Sequence, residues 1–204
     1  MQDHNIRDIS IFGDRNTAFN SLAAVNDCTL APGACMEYEL HAGTVLLPIV
    51  GTLVVLYDQE EIVIDCSELL VFNKATHLKV YNYYDDALIN YMIITFKTHF
   101  EPGFGVLKYS FDLDNNRNEM LDVLGNGNMR ISLGKFEMRR ETQHYLLNES
   151  NSSFCVVIQG SFEIEGRLLH ERDALAVWNT ETLDIESLGK ESILLLIEQE
   201  LKDA

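Results

Sequence analysis

Positive charge is scarce in this sequence. Its 15 Lys and Arg residues are set against 32 Asp and Glu residues, which gives a formal net charge of −17 at pH 7. Both halves of the chain are acidic, so no single acidic tail accounts for the imbalance. A surface this negative repels the phosphates of nucleic acids and of anionic lipids. We therefore expect neither direct nucleic-acid binding nor membrane binding.

Cysteine and long apolar runs are also in short supply. The four cysteines are Cys28, Cys35, Cys66 and Cys155. They show no CxxC spacing, and cysteine within an apolar run usually acts as a small buried hydrophobe, so we expect structural roles for them. No apolar run approaches the length of a membrane-spanning helix, and residues 1–7 lack the apolar region of a signal peptide. These features predict a cytoplasmic protein.

Short apolar runs rich in Val, Ile, Leu, Tyr and Phe dominate the chain. Gly, Asn or Asp interrupts them every 8–12 residues or so, a spacing typical of sandwiches and barrels. The pattern occurs on both sides of a more polar stretch, in which Glu119–Leu124 followed by Gly125 predicts a short helix with a glycine stop. The sequence therefore predicts an all-β protein with a first barrel over 1–100, a linker with a short helix over 101–129, and a second barrel over 130–204.

The last third of the chain carries a more specific pattern. An apolar strand and glycine turn over Val156–Gly166 precede the strand Asp173–Trp178, and the Leu-rich strand Ile193–Glu198 closes the series. This succession resembles the C-terminal cupin domain of the pirin family, although Ala174 replaces the family's usual glycine. The resemblance implies two cupin-type barrels, of the double-stranded β-helix or jelly-roll kind, in tandem.

The first half resembles the same family more distantly, through the turn Ala31-Pro32-Gly33 and through Gly51. Pirin-like proteins typically hold iron in the first barrel through a His-x-His pair, a further His and a Glu. Some members are quercetinases, and others are described as transcriptional co-regulators. Counted from Gly51, the His-x-His positions fall on Glu37 and Glu39, so the resemblance implies a first barrel without its usual ligand set.

Two interpretations of the strand Cys35–His41 remain open, because alternate residues of a strand share a face. If the odd-numbered residues point inward, Glu37, Glu39 and His41 converge, and His77 is a candidate fourth ligand for Fe or Mn. If Met36, Tyr38 and Leu40 point inward, the charged residues are solvated. Burying unpaired carboxylates costs several kcal/mol, which favours the second interpretation.

These observations lead to one functional hypothesis and one alternative. We expect a pirin-like bicupin without a resident cofactor that binds a small ligand or a protein partner and is not a catalyst. The alternative is a quercetinase-like dioxygenase that uses Fe or Mn at a non-standard site of Glu37, Glu39, His41 and His77. Dimerisation through exposed barrel edges stays open. The sequence does not identify the ligand or the biological process.

Overall fold

The computed structural model describes residues 7–13, 19–98, 100, 105–126, 129–147 and 151–200. The chain divides into two compact units, Met1–Ser110 and Phe111–Ala204. Every regular element in the described residues is a β-strand. No described helix is long and apolar enough to cross a membrane.

The first unit contains ten strands in two antiparallel sheets. The strands are β1 (Arg7–Phe12), β2 (Leu22–Leu30), β3 (Cys35–Leu40), β4 (Thr44–Val50), β5 (Leu53–Tyr57), β6 (Glu60–Ile64), β7 (Glu68–Phe72), β8 (Thr76–Tyr81), β9 (Ile89–Phe96) and β10 (Val106–Ser110). One sheet has the order β1-β2-β9-β4-β7-β10, and the other has the order β3-β8-β5-β6. Alternate residues of both sheets meet in an apolar core.

The second unit contains nine strands. They are β11 (Met120–Asn126), β12 (Met129–Phe136), β13 (Glu141–Tyr145), β14 (Asn151–Gln159), β15 (Ser161–Ile164), β16 (Arg167–His170), β17 (Ala174–Trp178), β18 (Thr182–Ser187) and β19 (Ser192–Glu200). Their sheet orders are β11-β12-β19-β14-β17 and β13-β18-β15-β16. Adding ten to each strand number of the first unit reproduces these orders, apart from the extra strand β10. The expected duplication of one barrel topology is confirmed.

The expected short helix is wrong. Residues 120–126 form β11, which pairs with β12 from Met120 opposite Gly134 to Asn126 opposite Met129. The Ser132 hydroxyl donates to Asp122 Oδ1 at 2.7 Å. Gly125, interpreted as a helix stop, lies opposite Arg130 within the ladder. The segment forms a strand despite its local helical pattern, because β12 supplies hydrogen-bond partners for its backbone.

The predicted linker, residues 101–129, contains two strands of the structure. β10 pairs with β7 in the first unit, and β11 pairs with β12 in the second. The segment between them, residues 111–119, has no regular secondary structure. It belongs to the second unit, where the Arg117 guanidinium donates to Glu191 outside the segment and to Asp114 within it at 2.8 Å.

Two equivalent hairpins show how the repeated topology tolerates different residues. The β5–β6 turn places Asp58 and Gln59 at φ values of 48° and 70°, and the β15–β16 turn places Glu165 and Gly166 at 50° and 68°. Both are two-residue connections with positive φ at both positions, which suits the twist of the paired strands. Glycine adopts this conformation freely, whereas Gln59 does so under strain.

Placing glycine at the second position of the β5–β6 turn, and glutamine at the second position of the β15–β16 turn, should therefore change stability in opposite directions. We expect Gln59→Gly to raise the free energy of unfolding by about 1 kcal/mol and Gly166→Gln to lower it by about the same amount. The Cβ position of Gly166 has open space around it, so the second change reports backbone strain and not a clash. Urea denaturation measures both values, and a stabilising Gly166→Gln change would contradict this explanation.

Candidate functional site

The orientation of β3 decides which of the two interpretations of this strand holds. Leu40 is buried, and Met36 and Tyr38 are half-buried and pack against the core of the first unit. Glu37 and Glu39 are exposed, as is His41 just beyond the end of the strand. The even-numbered face therefore points inward, because three apolar or aromatic side chains gain more from burial than two carboxylates would.

The candidate metal ligands lie on the outer face of this sheet. Glu37 is opposite Lys79 and Glu39 is opposite His77 on β8. Glu37 forms an ion pair with Lys79, and its Oε2 lies 3.5 Å from His77 Nε2. The hydrogen bond and charge of Lys79 lower the pKa of the Glu37 carboxyl. Within the described part of the chain, no three His, Cys, Asp or Glu side chains are arranged to hold a metal ion.

The inward face of the first unit carries tyrosine hydroxyls. Tyr38 Oη lies 2.6 Å from Tyr91 Oη, and the two rings meet edge to face with centroids 6.4 Å apart. Burial, followed by the proximity of Tyr91 and Cys28, raises the pKa of Tyr38 above its ordinary value. The polar groups that meet here are the hydroxyls of the two tyrosines and the thiol of Cys28.

All four cysteines are free thiols. Cys28 and Cys155 are buried, as expected of small hydrophobes, whereas Cys35 and Cys66 are exposed and are not part of a core. Cys35 lies on the outward face of β3 together with Glu37, which explains its exposure.

A buried charge network lies on the inward face of the second unit, and sequence reasoning missed it. Glu198 is fully buried on β19, and Arg130, opposite it on β12, donates from Nε to Glu198 Oε1 at 2.5 Å. His144 Nε2 lies 2.9 Å from an Arg130 nitrogen, and the backbone amide of Leu147 donates to Glu198 Oε2 at 2.8 Å. Burial raises the pKa of Glu198, but hydrogen bonds from His144, Leu147 and Arg130 outweigh it, so the pKa is lowered overall.

The outer face of sheet β13-β18-β15-β16 carries a row of three glutamates. Glu141 on β13 is directly opposite Glu186 on β18, and Glu186 is directly opposite Glu163 on β15. Leu168 on β16, which is 56% exposed, continues the row beside Glu163. Asp184 lies next to this row and accepts a hydrogen bond from Gln143 at 3.0 Å.

This acidic row lines a groove of about 510 Å³. The lining residues are Glu141, Thr142, Gln143, Glu163, Gly166, Asp184, Ile185 and Glu186. None of these lining residues is Lys or Arg. The sequence places at least one acidic residue on each of these three strands, but the residues become neighbours only once the strand pairing is known.

Comparison with known proteins identifies the architecture. Residues 115–198 match the family model described as the quercetinase C-terminal cupin domain. Over nearly the whole chain, the structure resembles that of the bacterial pirin YhhW from Escherichia coli in complex with nickel(II). Identity is 14%, coverage is 96% of this chain and 93% of that one, and the TM-score is 0.78. The chain has the pirin-like bicupin fold.

Two further structures resemble this bicupin. YhaK from Escherichia coli is 13% identical, with coverage of 97% of this chain and 94% of that one and a TM-score of 0.73. AerE from Microcystis aeruginosa is 13% identical, with coverage of 99% and 95% and a TM-score of 0.70. No curated protein sequence gives a significant match. At these identities the resemblance concerns the fold.

The Arg130–Glu198 pair predicts an acid-sensitive contribution to the stability of this bicupin. The folded-state pKa of Glu198 lies below its unfolded value, so its stabilising effect is present above the unfolded pKa. That effect is lost as the pH falls through the folded pKa. We expect Glu198→Gln to cost about 3 kcal/mol at pH 7, because Arg130 keeps a buried charge without its main partner.

Matched urea titrations at pH 7 and pH 3 test this expectation. Glu191→Gln is the control, because Glu191 pairs with Arg117 and Lys135 at a side chain that is 46% exposed, where such pairs contribute about 1 kcal/mol or less. The difference in the free energy of unfolding between wild type and Glu198→Gln should be smaller at pH 3 than at pH 7. A difference that does not change with pH would show that the charge of the Glu198 carboxylate does not contribute to stability.

Proposed function

We propose that this bicupin is not a catalyst and acts by binding a ligand or a protein partner. The observation that carries the proposal is the inward orientation of Met36, Tyr38 and Leu40 on β3. Because Glu37 and Glu39 point away from the first core, the expected His-x-His positions supply no ligand to its interior.

The chemistry of the first core supports this proposal. Iron and manganese sites in proteins use imidazole and carboxylate ligands. A tyrosine binds a metal well only after it loses its proton, and burial raises the pKa of Tyr38 and so retains that proton. Among the described residues, Met36, Tyr38, Leu40 and Tyr91 therefore do not supply the imidazole and carboxylate ligands of the iron site that the family resemblance implies.

The alternative site of Glu37, Glu39, His41 and His77 has less support. Lys79 already pairs with Glu37, and a cation at this position repels a metal ion. His77 and Glu37 have side chains that are 56% and 52% exposed, respectively. A dioxygenase needs its reactive metal in a shaped cavity from which water is excluded, and an exposed sheet face provides none.

Metal retention and oxygen uptake test the proposal. The full chain is incubated anaerobically with Fe(II) or Mn(II), desalted and analysed for metal, and oxygen uptake is then followed with quercetin. We expect metal retention well below one ion per chain and no quercetin-dependent uptake. Two double variants accompany the wild type: Glu37→Gln with His77→Asn at the alternative site, and Glu60→Gln with His170→Asn as an exposed control.

Two results would overturn the proposal. One ion per chain, lost only in the Glu37 and His77 variant, would establish the outer-face metal site. Quercetin-dependent oxygen uptake by the metal-loaded wild type would establish catalysis whichever variant retained the metal.

A further inference from the structure

The row Glu141, Glu186 and Glu163 is an electrostatic cost that the fold does not require. Like charges directly opposite each other on neighbouring strands destabilise a sheet. Among the described residues these three carboxylates have neither an ion pair nor a hydrogen bond from a side chain. By contrast, on the outer face of the equivalent sheet in the first unit, Lys79 lies directly opposite Glu37 and forms an ion pair with it.

The shape and borders of this face suit a polypeptide better than a small ion. The groove of about 510 Å³ is shallow and continuous across three strands. Exposed apolar side chains lie on the same face, since Leu168 extends the glutamate row and Tyr145 lies on β13, 69% exposed. An occupant must therefore offer positive charge along the row and an apolar group beyond its end.

The spacing of the row indicates the form of that occupant. Neighbouring strands lie about 4.8 Å apart, so the three glutamates repeat at roughly that interval. Residues three or four apart on an α-helix are separated by about 5–6 Å, whereas alternate residues of an extended segment are about 6.6 Å apart. A helix with basic residues on one face matches the row more closely than a strand does.

We propose that the outer face of sheet β13-β18-β15-β16 is a docking surface for a basic amphipathic helix of a partner protein. The inference rests on the proposed function, of which it names the binding surface and the partner class. Arg or Lys side chains of the helix pair with Glu141, Glu186 and Glu163, and an apolar side chain contacts Leu168. Charge complementarity selects this occupant, because a second copy of a chain with net charge −17 is repelled. The described residues also lack the three-ligand arrangement that a metal ion would need.

Fluorescence anisotropy with a designed peptide tests this proposal. The probe is a labelled helical peptide with Arg at three successive i, i+4 positions and Leu one turn beyond. A peptide of the same composition in scrambled order is the matched ligand control. We expect the ordered peptide to bind the full chain at least about tenfold more tightly than the scrambled one, and binding to weaken with added salt.

Two triple variants separate the groove from the general negative charge. Glu141→Gln, Glu163→Gln and Glu186→Gln together should weaken ordered-peptide binding by about tenfold or more, and should leave stability unchanged or higher because like-charge repulsion is relieved. Glu39→Gln, Glu60→Gln and Asp86→Asn together remove the same charge from exposed positions of the first unit. These changes should leave binding within about twofold of wild type, because none of these three residues lines the groove.

An equal loss of affinity for the ordered peptide in both triple variants would overturn the proposed docking surface. Equal binding of the ordered and scrambled peptides would also overturn it. So would a groove variant that binds as wild type does. Any of these results leaves the proposed function standing, because metal retention and quercetin-dependent uptake test that function independently. Conversely, catalysis by the metal-loaded chain would overturn the proposed function without affecting the peptide result.

Discussion

Inside the first barrel, the hydroxyls of Tyr38 and Tyr91 meet at 2.6 Å within an otherwise apolar core. This contact joins β3 of one sheet to β9 of the other and fixes which face of β3 is buried. This contact also sets the orientation of the remaining β3 side chains, because successive residues of a strand point to opposite faces. A change of register by one residue would bring Glu37 and Glu39 into the core and expose Met36, Tyr38 and Leu40, at a cost of several kcal/mol for each unpaired carboxylate.

The two units share one topology but place their charges differently. The first unit directs Glu37 and Glu39 of β3 to the outer face of its smaller sheet, where Lys79 pairs with Glu37. The second unit places the Arg130–Glu198 pair on the inward face of its larger sheet and leaves three glutamates opposite one another on the outer face of its smaller sheet. Two barrels with the same strand order can therefore place their charged side chains on different faces.

The sequence was a good guide to the fold and a partial guide to the site. Alternation and glycine turns predicted both barrels, and the pattern over Val156–Gly166 and Asp173–Trp178 pointed to the pirin-like second domain that the family model matches. It assigned a helix to β11 because the pairing with β12 is not visible in the local sequence. The site depended on pairing as well. Residues 35–41 were compatible with either face inward, and the glutamate row comes from three strands whose neighbours are set by tertiary structure.

The central claim is that the carboxylates of Glu37 and Glu39 point to solvent while Tyr38 packs inside. Carbodiimide labelling of the native chain, followed by peptide mass spectrometry, tests this claim directly. Glu39 should label at a rate comparable to that of exposed Glu60, with Glu37 moderately slower because of its pairing with Lys79. Protection of both Glu37 and Glu39 in the folded protein, lost on denaturation, would contradict the account and return the two carboxylates to the barrel interior.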